Sequence, residues 1–252
     1  LCVVVADIKG IKTKDPDFFQ RAKDLSSKYD VPLIGPEFPD IHINLDNPSV
    51  LHFNGMKLVN SFKKGKFYSR ITKFQNEALL KKAFALQSAK PKKILDATGG
   101  LGHDAFILAL LGQKITVVEK NIGLCILLEE ALNELPNYSY FDDAVNNITI
   151  KNSDSRKFLD SAQDYDVIYV DPMFNSNKRL KRTKQMEFMD KYLAEYDNPS
   201  DDFFKSDFKR LVIKKELRAP ASIKDSSAIS FNGSSIRYDV YTREKKWILV
   251  KQ

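Results

Sequence analysis

A glycine-rich segment at 96–104, with the sequence DATGGLGHD, combines residue types that bind small ligands. Glycines let the backbone approach a ligand closely, and free N–H groups at the start of a helix bind carboxylate or phosphate oxygens. The spacing Gly100-x-Gly102-x-x-Ala105 also matches the fingerprint of dinucleotide-binding proteins. A glycine turn without a ligand is a third interpretation. The segment by itself therefore leaves the ligand open.

Two acidic residues narrow the choice of ligand. Asp96 is predicted at the tip of a strand, where its charge would repel a pyrophosphate and attract the ammonium group of a methionine moiety. Glu119 ends the next predicted strand, and its two oxygens can accept both ribose hydroxyls of an adenosine. An exposed acid that ends a strand is the alternative for Glu119. Because a dinucleotide would also use Glu119, Asp96 carries the preference for S-adenosylmethionine (SAM), with Thr98, Gly100 and Gly102 as further contacts.

The segment Asp171-Pro172-Met173-Phe174 follows a predicted strand and indicates which group would accept a methyl. The amino group of a nucleic-acid base is a poor nucleophile, because its lone pair is delocalised into the ring. Asp171 and the Pro172 carbonyl can accept its protons, and Phe174 offers a face on which a flipped-out base can stack. A plain turn followed by a core phenylalanine is the alternative. The candidate catalytic residues are Asp171, Pro172 and Phe174.

These residue types predict a direct methyl transfer, in line from the sulfonium to the exocyclic nitrogen. Most of the acceleration should come from holding nitrogen, carbon and sulfur in line. Asp171 would orient the amine and accept its proton late. No metal is expected, because His42 and His52 lack cysteine or carboxylate partners at ligand spacing.

Alternating strands and helices are predicted to bring the two segments together. Apolar strands are predicted at 93–97, 115–119, 147–150, 166–170 and 211–214, and helices at 104–111, 122–135 and 155–161. An antiparallel pair, 236–241 with 246–250, is predicted to close the sheet edge. Such alternation predicts an α/β fold with a doubly wound, mostly parallel sheet, whose strands present their carboxyl ends at one edge.

The chain before this alternation has a different character. Short strands at 41–45, 50–53 and 57–62 are separated by Pro, Asn and Gly, and helices are predicted at 15–29 and 73–86. The pattern changes near Lys90-Pro91. We therefore predict a small amino-terminal α+β subdomain at 1–88 and a ligand-binding domain at 89–252.

Basic residues are concentrated beside the predicted site. The chain has 40 Lys and Arg against 33 Asp and Glu, and residues 55–93 contain eleven basic residues with one acid, Glu77. Clustered like charges favour a polyanion such as a phosphate backbone, with solvated surface charge as the alternative. Tyr138, Tyr140 and Phe141 are interpreted as packing residues, with base stacking as the alternative. The candidate RNA contacts are Lys63, Lys64, Lys66, Arg70, Lys178, Arg179, Lys181 and Arg182.

Cysteine usage and hydropathy indicate the compartment. Cys2 and Cys125 are the only cysteines, and Cys125 lies in an apolar run, so a structural disulfide is not expected. No stretch approaches the length of a membrane span, and the opening residues lack the pattern of a signal sequence. We expect a cytoplasmic protein that needs neither a membrane nor an obligate protein partner.

Four segments resemble the small-subunit ribosomal RNA methyltransferase J family, which makes N2-methylguanosine in bacterial 16S rRNA. They are 96–106, 167–174, 211–215 and 237–241. The resemblance implies a Rossmann-like class I methyltransferase with a seven-stranded sheet, SAM as its cofactor, and 16S rRNA or the small ribosomal subunit as its partner. The basic loop 63–70 departs from the family by having fewer glycines. By position, the resemblance implies cofactor contacts at His103, Asp104, Glu119, Lys120, Asp154, Ser155 and Asp171.

Other functions are compatible with these residues. Asp171 and Pro172 would read an amino group rather than a particular base, so adenine N6 in DNA and guanine N2 in transfer RNA are alternative targets. A non-catalytic ribosome-binding protein with a relic cofactor site is a second alternative, which the intact Asp96, Glu119 and Asp171 disfavour. A nicotinamide-dependent dehydrogenase is the third.

Overall fold

Two β-sheets form the framework of the computed structural model, which describes residues 7–35, 39–88, 90–172, 183–194, 198–221, 223 and 228–243. The strands, numbered along the chain, are β1 (Ile11–Lys12), β2 (Ile41–Asn44), β3 (Val50–Phe53), β4 (Met56–Val59), β5 (Lys93–Asp96), β6 (Lys114–Glu119), β7 (Ile148–Asn152), β8 (Val167–Val170), β9 (Arg210–Glu216), β10 (Ile229–Asn232) and β11 (Ile236–Thr242). Among the described residues, β1 to β4 form the smaller sheet in that order, and the larger sheet has the order β10-β11-β9-β8-β5-β6-β7.

Helices connect the strands and cover the larger sheet. In chain order they are α1 (Phe19–Tyr29), α2 (Gly65–Ile71), α3 (Ala78–Ala83), α4 (His103–Leu110), α5 (Ile122–Asn133), α6 (Ser139–Asn146), α7 (Lys184–Tyr192) and α8 (Ser200–Lys205). Turns of 3₁₀ helix occur at Pro16–Phe18, Phe74–Asn76, Ser155–Phe158 and Ala162–Asp164. The buried positions of α4 and α5 run almost without interruption, as expected for crossover helices that are covered on most sides. Within the described ranges, no helix combines the length and apolar character that a bilayer span needs.

The larger sheet confirms the prediction of a doubly wound, mostly parallel sheet with seven strands. β5 pairs in parallel with both β6 and β8, and the parallel pairing continues from β6 to β7 and from β8 to β9. β11 is antiparallel to its neighbours β9 and β10. The chain order of the parallel strands reverses at β5, and ligands bind beyond the carboxyl ends of the strands at such a point.

Burial on both faces explains the continuous apolar runs of the central strands. All four residues of β8 are buried. Val167 and Tyr169 belong to one hydrophobic cluster, and Ile168 and Val170 belong to another on the opposite face. Successive side chains of a strand point to opposite faces, so a strand covered by helices on both sides needs apolar residues throughout. The resulting rigid centre fixes the positions of the strand ends.

The amino-terminal elements contact the larger sheet closely. Leu25 of α1 and Leu51 of β3 share a hydrophobic cluster with Leu124 of α5. Phe62 and Phe84 are fully buried in the core of the larger sheet. The residues before position 88 thus contribute to both units, and the boundary at residue 88 stays a prediction.

The single helix predicted at 73–86 is divided in the structure. A 3₁₀ turn occupies Phe74–Asn76, and α3 begins only after Glu77, whose backbone angles (φ −77°, ψ 54°) are not helical. Both carboxylate oxygens of Glu77 accept hydrogen bonds from Arg70, at 2.7 and 3.0 Å. This ion pair holds Glu77 at the interruption of the helix. The hydrophobic periodicity of 73–86 gives no sign of such a pair.

The carboxyl-terminal strand pair also differs from the prediction. β11 lies between β9 and β10, so its hairpin partner is Ile229–Asn232 and it does not form the sheet edge. The predicted partner, 246–250, lies outside the described residues. The predicted helix at 155–161 is a 3₁₀ turn at Ser155–Phe158, which Asp154 caps by accepting from the N–H of Arg156.

Candidate active site

A cavity of about 580 Å³ opens at the carboxyl ends of β5, β6 and β8. This edge contains the point of strand-order reversal, where doubly wound sheets bind ligands. The cavity wall includes every described residue that the sequence nominated for catalysis or cofactor binding. These residues are Asp96, Thr98, Gly100, Gly102, His103, Asp104, Glu119, Lys120, Asp154, Ser155, Asp171 and Pro172. Phe174 lies outside the described residues.

The glycine-rich loop between β5 and α4 has a shape that requires glycine at two positions. Gly102 has a φ of +71°, and a Cβ atom there would lie 2.3 Å from Cδ1 of Leu128. A Cβ atom at Gly99 would lie 2.4 Å from Cγ1 of Val117. Both distances are well below van der Waals contact, so the loop lies tightly against α5 and β6. Backbone, rather than side chains, therefore forms this wall of the cavity.

A direct hydrogen bond joins the glycine-rich loop to the segment after β8. The backbone N–H of Asp171 donates to Oγ1 of Thr98 at 2.7 Å. The N–H of Ala97 donates to the carbonyl of Tyr169 at 2.9 Å, which continues the pairing of β5 with β8. The two segments that the sequence nominated separately therefore converge on one cavity.

Glu119 is anchored at the end of β6 by backbone donors. Its Oε2 accepts from the N–H of Gly100 at 2.8 Å, and its Oε1 accepts from the N–H of Asn121 at 2.7 Å. Burial raises the pKa of Glu119, and these backbone donors oppose the rise. A carboxylate has about four acceptor positions. The two fixed bonds therefore orient the oxygens while leaving positions for hydroxyl donors of a ligand.

Asp96 is buried at the tip of β5 among other acids. Burial raises the pKa of Asp96 to about 8, against the hydrogen bond from the Thr98 N–H and with the help of neighbouring carboxylates. An ammonium group beside Asp96 would favour its charged form. The site thus suits a cationic ligand group at the place where the sequence predicts the ammonium of a methionine moiety.

A network of charged side chains surrounds Asp171. Lys214 donates to Oδ2 of Asp171 at 2.7 Å and to Oδ2 of Asp104 at 2.9 Å. Asp104 also accepts from Arg70 and from the hydroxyl of Tyr169, both at 2.6 Å. Burial acts to raise the pKa of Asp104, but Lys214 and Arg70 hold it well below its usual range. Burial raises the pKa of Asp171, and Lys214 opposes that rise.

Lys214 is a functional candidate that the sequence analysis missed. From the sequence it is only the end of a predicted strand, yet its ammonium bridges two carboxylates on two other elements. Burial acts to lower the pKa of Lys214, but Asp104 and Asp171 raise it, so the ammonium stays charged. The available signal was a lysine directly after the apolar run Leu211–Ile213 in a strand expected beside β8.

Arg70 does not occupy the position expected of an RNA contact. Its guanidinium donates to both carboxylate oxygens of Glu77 and to Asp104, and the residue lines the cavity. Bidentate pairing of this kind uses the donors that a phosphate would need. In this structure Arg70 therefore supports the acids of the site, and its contact with RNA stays a prediction.

The other predicted RNA contacts fall into two groups. Lys63, Lys64 and Lys66 are exposed around the start of α2, and their role stays a prediction. The second group lies outside the described residues and consists of Lys178, Arg179, Lys181 and Arg182.

The cavity wall also includes apolar side chains from the α7 region and a further acid. Met189 and Leu193, from α7 and its end, line the same cavity as Asp154 and Ser155. Asp154 lies 3.5 Å from Nζ of Lys120. A flat aromatic base with an amino group fits such a combination, since its faces contact apolar atoms and its edge needs an acceptor. The sequence nominated the acid but not the α7 residues.

His103 begins α4 as a neutral ring. Burial lowers the pKa of His103 to about 4. Its ring stacks on Phe67 with centroids 4.0 Å apart, and Nε2 lies 3.1 Å from Oδ1 of Asn60. These contacts tie α2 and the end of the small sheet to the cavity wall. No cluster of metal-ligating side chains occurs within the described ranges.

Residues 42–243 match the family model for SAM-dependent methyltransferases. Ribosomal RNA small subunit methyltransferase J of Francisella tularensis subsp. novicida (strain U112) is 28% identical over 211 residues, covering 81% of this chain and 88% of the relative. The protein of the same name from Francisella philomiragia is 26% identical with the same coverage. A crystal structure of a SAM-dependent methyltransferase from Neisseria gonorrhoeae matches with a TM-score of 0.69 at 20% identity, covering 92% of this chain and 95% of that chain, which shows the fold.

Proposed function

This chain belongs to the family of SAM-dependent methyltransferases, and we propose that it methylates the exocyclic N2 amino group of a guanosine in 16S rRNA. Its cofactor is SAM. The observation that carries the proposal is the hydrogen bond of 2.7 Å between Asp171 and Thr98, which joins the acceptor segment to the cofactor loop on one cavity. The relatives named ribosomal RNA small subunit methyltransferase J support an rRNA substrate. The guanine N2 target follows from the four segments that resemble that family.

The cavity residues fit the parts of SAM by charge and by shape. Asp96 would face the ammonium group, and Glu119 would accept the ribose hydroxyls. Asp154 would accept from the adenine amino group. Gly99 and Gly102 let the loop pack closely against Val117 and Leu128, which fixes the backbone that would contact the ligand.

The residues around Asp171 suit the activation of a weak amine nucleophile. When bound, SAM supplies an electrophilic methyl group on a positively charged sulfur. Asp171 and the carbonyl of Pro172 would accept hydrogen bonds from the amine and turn its lone pair out of the ring system. Lys214 holds the Asp171 carboxylate in one orientation at 2.7 Å, which is a positioning role. The pKa of Asp171, raised by burial, suits late acceptance of the amine proton.

Analysis of the methylated nucleoside tests the proposal. Unmodified 16S rRNA, naked and assembled into small ribosomal subunits, would be incubated with the full chain and SAM that carries a deuterated methyl group. After digestion to nucleosides, we expect mass spectrometry to find labelled N2-methylguanosine from at least one substrate. The Asp171→Ala protein serves as the control and should give far less label in the same time.

The same assay, run also with transfer RNA and DNA as substrates, separates the alternative functions. Labelled N2-methylguanosine only in transfer RNA, or labelled N6-methyladenine in DNA, would keep the chemistry and replace the substrate. Binding of SAM without label in any nucleic acid would favour a non-catalytic ribosome-binding protein. Each result would contradict the proposed rRNA activity.

A further inference from the structure

Three tyrosines, Tyr68, Tyr138 and Tyr140, expose aromatic rings near one another. Their exposed fractions are 38%, 53% and 50%. Tyr138 and Tyr140 have ring centroids 5.8 Å apart. Tyr68 lies on α2 next to Phe67, which packs against the same hydrophobic cluster as Phe141. We call this group the tyrosine surface. Large exposed rings that gather on a soluble protein mark an interaction site more often than isolated ones do.

Core packing accounts for only part of the tyrosine surface, because Tyr138 and Tyr140 contact Phe141, with centroids 5.9 and 4.3 Å apart, yet stay about half exposed. Phe141 is only 2% exposed and contacts Phe106 of α4, with centroids 6.1 Å apart. Phe141 therefore supplies the packing contact of α6. The rings of Tyr138 and Tyr140 lie parallel, with planes 4° apart and centroids 5.8 Å apart, and each remains about half exposed. Parallel exposed rings offer faces on which further flat groups can stack.

Positive charge lies beside these rings. Lys63, Lys64 and Lys66 are exposed around the start of α2, the helix that carries Tyr68. Nζ of Lys63 lies 3.9 Å from Glu134, which directly follows α5 and precedes Tyr138 by one short loop. Lysines beside exposed aromatic rings are the combination that binds single-stranded nucleic acid, because phosphates meet the charges and bases stack on the rings.

The helix α2 connects the tyrosine surface to the active site. Its Phe67 stacks on His103 of the cavity wall, and its Arg70 lines the cavity and donates to Asp104. Tyr68 lies on the same helix but is exposed. A chain of nucleotides with one base in the cavity would therefore pass along α2 toward the tyrosines.

We propose that the tyrosine surface and the lysines around the start of α2 bind unpaired nucleotides of the RNA that flank the methylated one. This inference rests on the proposed function, because it assumes an RNA substrate. The exposed acids Asp142 and Asp143 follow the tyrosines along α6, so the phosphates belong on the α2 side. Stacking accepts any base, so the surface adds affinity for single-stranded RNA without reading its sequence. The tyrosine surface should add little affinity for duplex RNA, because the bases of a duplex already stack on one another.

Fluorescence anisotropy with a short, mixed-sequence, fluorescein-labelled single-stranded RNA tests the inference. Stacking on aromatic rings contributes about 1–3 kcal/mol per base, so the double variant Tyr138→Ala/Tyr140→Ala should weaken binding by roughly tenfold or more. The matched variant Tyr138→Phe/Tyr140→Phe keeps the rings and should bind within about twofold of the wild type. Phe19→Ala, which removes a ring that is 50% exposed on α1, should bind like the wild type. Equal affinity of the alanine and phenylalanine variants would overturn the inference.

The lysines have a separate signature in the salt dependence of binding. For a single strand, each lysine that neutralises a phosphate steepens the fall of log affinity with log salt by about 0.7. The triple variant Lys63→Gln/Lys64→Gln/Lys66→Gln should therefore show a shallower slope, while the tyrosine variants keep the wild-type slope. An unchanged slope in the lysine variant would contradict the proposal that these lysines contact phosphates.

Kinetics separate this inference from the proposed function. In rRNA methylation, the alanine double variant should show a raised KM for RNA, with kcat and SAM affinity unchanged. Wild-type methylation of rRNA together with an unchanged KM in that variant would remove the tyrosine surface and leave the proposed function standing. If the wild-type protein binds single-stranded RNA through the rings but does not methylate rRNA, the tyrosine surface would stand and the proposed function would be removed.

Discussion

The two halves of the active-site cavity are built by different means. The cofactor half, formed by the loop 99–102 and Glu119, is shaped by backbone geometry, with a φ of +71° at position 102 and backbone N–H groups that fix the Glu119 carboxylate. The acceptor half, formed by the buried Asp104 with the partly buried Asp171 and Lys214, is shaped by charges that come from three parts of the larger sheet and its helices. One half depends on steric fit and the other on charge balance.

This difference determines how each half fails. A backbone-shaped site fails when a new atom has no space, and the damage stays local. A buried charge network fails when one partner is removed, because the remaining charge is left uncompensated at a cost of about 3–5 kcal/mol. Variants of the two halves should therefore be separable by stability, by SAM binding and by pH dependence.

Replacing Lys214 by Met should have the largest effect. Asp104 and Asp171 would lose their shared cation, which should lower the free energy of unfolding by about 3–5 kcal/mol in urea titrations. In the proposed mechanism Asp171 acts when ionised, so activity should be present above its pKa and be lost as the pH falls through it. Without Lys214 that pKa rises further, so the acidic limb of kcat/KM should move to higher pH.

The matched control for Lys214→Met is Lys209→Met. Lys209 pairs with Asp166 at 3.2 Å near the start of β9, but its side chain is 47% exposed. An exposed pair contributes about 0–1 kcal/mol, so this variant should keep near-normal stability and the wild-type pH profile. Equal behaviour of the two methionine variants would show that charge does not hold the acceptor half together.

Gly102→Ala should be the next largest change and should act on the cofactor half. The new Cβ atom would meet Leu128 at 2.3 Å on a backbone with a φ of +71°. We expect a loss of about 1–3 kcal/mol in unfolding free energy, and calorimetry should show weakened SAM binding. Gly112→Ala is the control, since Gly112 has a φ of +78° but nothing within 4 Å of the new atom. Equal stability losses in both variants would remove the steric argument.

The pH dependence of SAM binding sharpens the comparison further. Burial raises the pKa of Asp96 to about 8, so the free protein holds this acid mostly protonated at neutral pH. An ammonium ligand prefers the ionised form, so affinity should rise by up to about tenfold per pH unit as the pH approaches 8. At still higher pH the ligand's own amino group loses its proton, so the rise in affinity ends. In calorimetry across this range, Asp96→Asn should flatten the rise, and a rise that persists in the variant would assign it to another group.

Thr98→Val should have the smallest effect, because it removes a single hydrogen bond between the two halves. The N–H of Asp171 would lose its acceptor at 2.7 Å, at a cost of about 1 kcal/mol. Turnover should fall more than SAM affinity does, since the bond positions Asp171. Thr98→Ser keeps the hydroxyl and should restore turnover. Failure of serine to restore it would show that the methyl group matters and the hydrogen bond does not.

The framework and the cofactor half were accessible from the sequence. The β3 strand predicted at 50–53 has the same bounds in the structure, and the strand predicted at 93–97 is observed at Lys93–Asp96. Both could be predicted because buried strands appear in a sequence as short apolar runs. The loop after β5 and the segment after β8 were brought together by one rule, that parallel strands end at the same sheet edge. The glycines themselves are visible as a motif, although Val117 and Leu128, against which they pack, are far away in the sequence.

The acceptor half was only partly accessible. Asp171 was nominated, but its partner Lys214 and the role of Arg70 depend on side chains that meet across four elements, and no local pattern encodes such a meeting. The same limit explains the helix at 73–86, which Glu77 interrupts to pair with Arg70. The helices α2 and α6 were missed because each is short and carries a mixed composition.

The most direct test of the central claim, that SAM and the base amine meet at Asp171, is single-turnover methyl transfer by Asp171→Ala with SAM binding measured on the same protein. Asp164→Ala is the control, since Asp164 is exposed before the start of β8, at the other end of the strand. We predict transfer slowed by about 100-fold or more in Asp171→Ala, with SAM affinity retained and the control unchanged. Undiminished transfer by Asp171→Ala would contradict the claim.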